Sequence, residues 1–299
     1  MWLILAFISA ALLGMYEVFK KLALNNNAVL PILFLNTVFC SALFLPAVLL
    51  SRFNPELIEG TLFYVPRADF VTHLYVMLKA VIVLSSWTFA YFAMKHLPIT
   101  IAGTIKASQP VLTLLGALLI FGERLNLYQW IGVIISIISF FMLSSSGKKE
   151  GIRFSHDKWI YYIVLATITG AISALYDKYL ISGGFDRMVV QVWYTYYQMV
   201  IMFIILLIWY KKRNETTPFH WRWSIFFISL FLVAADFIYF YALSFPGAMI
   251  SIVSMARRSG VVVSFLFGAL FFHEKNIRSK AIDLLLVLIG MYFLYLGTR

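Results

Sequence analysis

The sequence predicts an all-α integral membrane protein, in which ten transmembrane helices form two inverted five-helix repeats. The first observation is the composition: 62% of the 299 residues are hydrophobic and 12% are charged, whereas about 25% of a soluble domain is charged. The second is the recurrence of apolar runs of about 20 residues, the length that crosses a bilayer as a helix. The third is a charged pattern that occurs in both halves. A water-soluble enzyme, a disordered regulator and a coiled coil are therefore excluded.

The apolar runs are too long, and too uniformly apolar, to be the alternating strands of a membrane barrel. The connections between them are too short for a separate soluble domain, so we expect the function to lie within the membrane. The predicted spans are roughly Trp2–Leu24, Leu30–Leu50, Phe70–Met94, Pro98–Phe121, Leu127–Ser145, Trp159–Leu180, Met188–Tyr210, Trp223–Leu243, Gly247–Phe272 and Ser279–Leu296.

Two segments of the chain resemble each other. Lys106–Phe121 reads KASQPVLTLLGALLIF, and Arg257–Phe272 reads RRSGVVVSFLFGALFF. At a constant offset a base aligns with a base near the start of each segment, and a glutamate followed by a base aligns just beyond each end. We therefore divide the chain into a first repeat at 1–145, a connecting loop at 146–158 and a second repeat at 159–299.

Five spans in each repeat mean that the second half enters the membrane inverted relative to the first. Inverted repeats place a substrate site near the bilayer midplane, where the halves meet, and allow two alternative packings of the same helices. The sequence therefore favours a carrier that works by alternating access.

This pattern resembles the EamA-type carriers of the drug/metabolite transporter superfamily. The resemblance rests on the ten spans, the two repeats, Pro98 and Pro246 ahead of the paired segments, and the Glu-Arg or Glu-Lys pair that closes each segment. It implies a secondary transporter with a central cavity lined mainly by spans one, three, four, six, eight and nine. It also implies cytoplasmic termini, whereas the distribution of Lys and Arg among the loops favours termini outside. We expect a multi-pass protein of the bacterial inner (plasma) membrane.

Three bases lie near the middle of predicted spans: Lys106 in span four, and Arg257 and Arg258 in span nine. A charge at the bilayer centre costs at least ~2.5–3.5 kcal/mol, so each base should face a cavity or a partner. Our functional hypothesis is that they bind a carboxylate or phosphate, since arginine offers a fork of donors and lysine a point charge. The same bases resemble the phosphate-binding set of plastid triose-phosphate translocators. The alternative is pairing with carboxylates of other helices: Glu17, Asp177, Asp236 or Asp283.

The membrane carboxylates have two interpretations each. Glu17 would carry a proton or pair with Lys20 and Lys21, which follow it at favourable helical spacing. Asp236 would neutralise a midplane base or couple substrate to protons. For both we favour the ion pair, because an unpaired buried charge is costly. Asp177, followed directly by Lys178, occupies the equivalent place in span six and has the same two interpretations, proton coupling or pairing near the membrane interface.

Other polar and aromatic residues are candidates for the cavity wall. Gln109 shares a helix face with Lys106. Aromatic rings with a polar group suit contact with an organic substrate, and four of them occur on spans three and eight: Trp87, Tyr91, Tyr239 and Tyr241.

The sequence therefore predicts a secondary transporter of a small organic metabolite. We expect this substrate to be an anion with a carboxylate or phosphate group, moved by exchange (antiport) or together with protons. The alternative within the class is a proton-coupled exporter of amino acids or of cationic, drug-like compounds. The rival class is a membrane-embedded enzyme, but the sequence shows no HExxH motif or comparable ligand pair. An ion channel normally needs a ring of subunits around a pore. We expect no metal, cofactor or nucleic acid, and a monomer or homodimer in the lipid bilayer.

Overall fold

A computed structural model describes residues 2–121, 157–210, 217–245, 259–271 and 277–297, with scattered residues of 126–142 and 253–257. Within these ranges the chain is helical and contains no strand. The helices are α1 (Trp2–Leu24), α2 (Val29–Phe53), α3 (Phe70–His96), α4 (Ile99–Ala107), α5 (Gln109–Phe121), α6 (Lys158–Ser182), α7 (Arg187–Tyr210), α8 (Ser224–Leu243), α9 (Val261–Leu270) and α10 (Ile277–Leu296).

Most predicted spans agree with these bounds to within three residues, and span one agrees at both ends. Span five, at Leu127–Ser145, lies largely outside the described residues, as does the first part of span nine. Asp69 and Asp157 cap the starts of α3 and α6: their carboxylates accept the backbone N–H groups of Thr72 (3.1 Å) and Trp159 (2.9 Å). Hydrogen bonds from Thr72 also lower the pKa of Asp69.

Span four differs from the prediction, because it is broken into α4 and α5 at Ser108. Pro110 has no N–H group and therefore cannot donate the helical hydrogen bond to the carbonyl four residues earlier. The Ser108 hydroxyl donates to the carbonyl of Ile105 (2.7 Å), and the Ser108 N–H donates to the same carbonyl at 3.1 Å. The chain thus makes one tight turn in the middle of the span.

The same turn occurs in the second repeat, just before α9. The Ser259 hydroxyl and N–H both donate to the carbonyl of Ala256, at 2.7 and 3.0 Å. Ser259 is the residue that aligns with Ser108, so the two repeats share this local conformation as well as their charges.

The packing of helices also relates the two halves. α1 packs most extensively against α8, and α3 against α6. A hydroxyl crosses each of these contacts: Ser9 donates to the carbonyl of Ala235 (2.7 Å), and Ser86 donates to that of Ala166 (2.8 Å). α2 packs against α7, and α4 against α9. Exchanging the halves converts the α1–α8 contact into the α3–α6 contact and leaves the α2–α7 contact unchanged, as expected of repeats related by a pseudo-two-fold axis.

The outer face of the bundle is apolar. On α7, Phe203, Ile204, Leu207 and Ile208 are each at least half exposed. Such a surface suits lipid rather than water, and five of the described helices are long and apolar enough to cross a membrane. The predicted class, an all-α integral membrane protein, is confirmed, and the described helices fit the ten predicted spans.

One end of the bundle is held together by polar contacts. The Asn27 side chain donates to the carbonyl of His220 (2.7 Å) and accepts its N–H (2.8 Å). Nearby, the Lys21 ammonium donates to the carbonyls of Met94 (2.8 Å) and Leu97 (2.6 Å). These bonds tie the ends of α1 and α3 to each other and to the chain before α8.

Candidate functional site

A central cavity of about 120 Å³ lies between α1, α3, α6 and α8, next to the break between α4 and α5. A smaller pocket of about 30 Å³ adjoins it between α1, α4 and the start of α9. Three acids and three bases line the central cavity: Glu17, Asp177, Asp236, Lys79, Lys106 and Arg257.

The first group of charges is centred on Glu17 of α1. Lys106 forms an ion pair with Oε1 of this carboxylate, and the Lys20 ammonium lies 2.5 Å from Oε2. Lys20 is fully buried, and its ammonium lies 4.4 Å from the ring centre of Tyr16 and 5.3 Å from that of Tyr91. Two bases therefore share one carboxylate, and Lys106 is the one that reaches the cavity.

The second group joins α8 to the chain just before α9. Arg257 pairs with Oδ1 of Asp236, and the Tyr194 hydroxyl donates to Oδ2 at 2.8 Å. The guanidinium also lies 4.3 Å from the ring centre of Tyr239, a cation–π contact. Asp236 therefore has the partner that we favoured from the sequence, a base near the middle of span nine.

The third group joins α3 to α6. Lys79 forms an ion pair with Asp177 and lies near the rings of Tyr194 (4.9 Å) and Phe240 (5.2 Å). Lys79 is not among the site residues that the sequence predicted. The position of Lys79 ten residues inside an apolar run was the signal that places it in the membrane.

Two glycines allow close packing around the cavity. A Cβ atom on Gly170 would lie 2.8 Å from Oε1 of Gln109, so the missing side chain leaves room for that amide. A Cβ atom on Gly14 would lie 2.6 Å from the carbonyl oxygen of Gly260. The backbones of α1 and the chain entering α9 therefore touch directly, as small residues permit between membrane helices.

Most of the residues proposed from the sequence meet in this cavity. Tyr91 does not line it but is buried in the core beside Lys20, and Tyr241 instead packs against Arg187 (5.1 Å) and Phe245. Arg258 and the side chain of Asp283 lie outside the described residues. The proposed residues that line the cavity are Glu17, Trp87, Lys106, Gln109, Asp177, Asp236, Tyr239 and Arg257.

A metal centre finds no support in the described part of the chain, where no three His, Cys, Asp or Glu side chains are grouped closely enough to hold an ion. Cys40, the one cysteine of the sequence, is buried. The chemical capacity of the cavity therefore rests on its ion pairs, its amide and its aromatic rings, which suit binding of a charged organic molecule.

Comparison with known proteins agrees with this architecture. A relative from Archaeoglobus fulgidus, described as an uncharacterized transporter, is 24% identical over 246 residues, which cover 81% of this chain and 79% of the relative. A solved crystal structure superposes with a TM-score of 0.66 and covers 99% of this chain and 97% of its own, at 14% identity, which shows the fold alone.

The model of the EamA-like transporter family matches residues 1–145 and 157–296, nearly the whole chain. This match confirms the resemblance stated from the sequence, and the names of both the family and the relative are those of transporters rather than enzymes. The chain belongs to the EamA-like transporter family and is a multi-pass integral membrane transporter.

Proposed function

We propose that the protein is a secondary transporter of a small organic metabolite with a carboxylate or phosphate group, which binds in the central cavity between Lys106 and Arg257. The observation that carries this proposal is that these two bases, aligned in the two repeats, line the same cavity. Each precedes a break in its span by two residues. Alternating access through the two repeats would then carry the bound anion across the membrane.

The balance of charge supports an anion. Among the described residues that line the cavity or pair with its lining, Lys20, Lys79, Lys106 and Arg257 outnumber Glu17, Asp177 and Asp236 by one. A buried excess charge is unfavourable in a low-dielectric site. One negative charge on the substrate would neutralise it.

The size of the cavity supports a small substrate. Its volume of about 120 Å³ is somewhat less than the roughly 150 Å³ of a protein cavity that accommodates benzene. By the same scale a molecule of about five or six non-hydrogen atoms would fill it. The rings of Tyr16, Trp87 and Tyr239 supply apolar walls for the carbon skeleton.

A second candidate is export of amino acids in exchange for protons. It is favoured by the ion pairs on the cavity wall, because a zwitterion could separate a pair and satisfy both of its members. Asp236 would then accept the substrate ammonium while retaining its hydrogen bond from Tyr194 (2.8 Å).

Ligand-dependent thermal stability of the purified protein tests the proposal. The panel would contain lactate, acetate and inorganic phosphate, then glycine and alanine, then tetramethylammonium as an organic cation of matching size. We expect anions to raise the Tm of the wild type. Stabilisation by amino acids alone would favour the second candidate, and stabilisation by the cation alone would reject the anion site.

Substitution of the two bases gives the matching transport test in proteoliposomes. Lys106→Gln and Arg257→Gln should each reduce uptake of the stabilising anion by at least tenfold, because one charge-assisted contact of about 1.5–3 kcal/mol is lost. Lys95→Gln is the control, since the Lys95 ammonium bonds to the Thr217 hydroxyl (2.6 Å) and does not line the cavity. Wild-type uptake in both folded variants would overturn the proposal.

The two variants differ in their risk of misfolding. Lys106→Gln leaves Glu17 paired with Lys20, so the protein should still fold. Arg257→Gln leaves Asp236 with the hydroxyl of Tyr194, and the double variant Asp236→Asn/Arg257→Gln removes this residual buried charge. Loss of uptake in the double variant with normal stability would therefore still report on the site.

A further inference from the structure

Two lysine side chains contact the single carboxylate of Glu17, although one would neutralise its charge. Lys106 binds Oε1 from the cavity side, while the Lys20 ammonium lies 2.5 Å from Oε2. Lys20 is fully buried and does not line the cavity, whereas Glu17 and Lys106 do. The two lysines therefore hold the same carboxylate from different sides, and a molecule in the cavity can reach one of them.

Binding of an anion at Lys106 would compete with Glu17 for that ammonium. A buried carboxylate without a cation is strongly disfavoured. Without a second base, Glu17 would therefore have to keep Lys106, bind a proton or become exposed to water. Lys20 removes this conflict, because it already lies at ion-pair distance from the other carboxylate oxygen. The aromatic faces of Tyr16 and Tyr91 hold its ammonium in place.

We propose that Lys20 is a positioning residue that keeps Glu17 ionised and neutralised while Lys106 transfers its ion pair to the substrate. This inference rests on the proposed function, since it assumes an anion at Lys106. Its consequence is that anion binding at this side of the cavity requires no proton. Lys20 thus sets the proton stoichiometry of the binding step without contacting the substrate.

The surroundings of Glu17 contain the other groups that bear on this balance. Tyr16 lies beside it on α1, and Tyr91 faces the cluster from α3. Across the cavity Arg257 and Asp236 are paired with each other, as are Lys79 and Asp177. Lys106 and Lys20 are thus the bases in direct contact with the Glu17 carboxylate among the described residues.

The test measures the affinity for sulfate and for lactate at a series of pH values between about 5.5 and 8.5, where neither anion titrates appreciably. In Lys20→Met the fold should persist, because Glu17 retains Lys106. Each anion that then takes Lys106 obliges Glu17 to bind one proton from solution. We expect the affinity of this variant to fall with rising pH more steeply than that of the wild type, by up to about tenfold for each pH unit.

Three further variants separate this effect from general damage. Glu17→Gln/Lys20→Met removes the carboxylate that would bind the proton, and should restore the wild-type pH profile. Lys20→Arg keeps the charge and should also keep that profile. Lys21→Met makes the same substitution one residue along, at a lysine that bonds to the carbonyls of Met94 and Leu97, and should leave the profile unchanged.

The outcomes distinguish this inference from the proposed function. If anions bind the wild type and Lys20→Met has the wild-type pH profile, Lys20 does not have this role but the anion site stands. If the double variant keeps the steep profile of Lys20→Met, the proton binds elsewhere and the inference is also overturned. If neither sulfate nor lactate binds the wild type at any pH, the anion site itself fails and the inference fails with it.

Discussion

At the scale of single residues, the site consists of charged side chains that can be recognised in the sequence because they interrupt long apolar runs. Lys106 and Arg257 were predicted from their depth and their alignment, and both line the cavity. Lys20 was predicted only as a partner of Glu17, and Lys79 was not proposed as a site residue. Both are in fact buried. The carboxylate partners of Lys79, Lys106 and Arg257 lie on other helices, which sequence spacing alone does not identify.

The Lys79–Asp177 pair gives a prediction at this scale. Lys79→Met should destabilise the protein by about 3–5 kcal/mol, because it leaves the Asp177 carboxylate buried without this base. Lys79→Met/Asp177→Leu, which removes both charges, should recover most of that loss. Unfolding in detergent with increasing denaturant measures the difference. Equal destabilisation in the single and double variants would show that packing, not charge, dominates at this contact.

At the scale of elements, hydropathy predicted where most helices begin and end but not how span four is built. Pro110 was visible in the sequence, yet a proline in the first turn of a new helix and a proline that bends a continuous one have the same local pattern. The structure shows the first case, with α5 beginning at Gln109. The matching turn at Ser259 occurs without a proline, and the shared serine is the common feature.

The contact between α1 and the chain entering α9 gives a second prediction. A Cβ atom on Gly260 would lie 2.3 Å from the carbonyl oxygen of Ala10, so Gly260→Ala requires the two backbones to separate. We expect this variant to lose most of its transport, because that contact can no longer close.

Gly103→Ala is the matched control for this contact. Its Cβ atom would meet the end of the Val261 side chain at 3.1 Å, and a side chain can adjust where a backbone cannot. Initial uptake rates, compared at equal amounts of folded protein, measure both variants. Normal transport by Gly260→Ala would show that the close approach is not needed during the cycle.

At the scale of the whole molecule, the aligned charges predicted the inverted repeat, but no sequence pattern predicted which helices pack together. The reason is physical: lipid is as apolar as the core, so hydrophobicity does not distinguish the inner face of a membrane helix from its outer face. The contacts of α1 with α8 and of α3 with α6 are therefore known from the structure and not from the sequence. The proposed division at 145 and 159 remains a prediction.

The polar contacts at the Asn27 end predict how access to the cavity is controlled. Asn27→Ala removes two hydrogen bonds to His220, worth about 1 kcal/mol each, and should raise the population of conformations open at this end by roughly thirtyfold. The reporter is Ser173→Cys, which places a thiol in the cavity wall. The background is Cys40→Ser, which removes the one native cysteine.

Labelling of that cysteine by a membrane-impermeant thiol reagent measures the opening. Asn25→Ala, at an exposed asparagine of the same turn, is the control. Equal labelling rates in Asn27→Ala and Asn25→Ala would show that these bonds do not restrict access.

Among the described residues around the cavity, the surplus of one base over the acids has a consequence for energetics in a living membrane. If the substrate is the proposed univalent anion, the loaded carrier is electrically neutral, and the membrane potential does no work on its reorientation. An empty carrier exposes its surplus charge to the field, at a cost of roughly 2.3 kcal/mol for each 100 mV that one charge crosses. Net transport in one direction would then depend on the membrane potential, whereas one-for-one exchange of substrates would not.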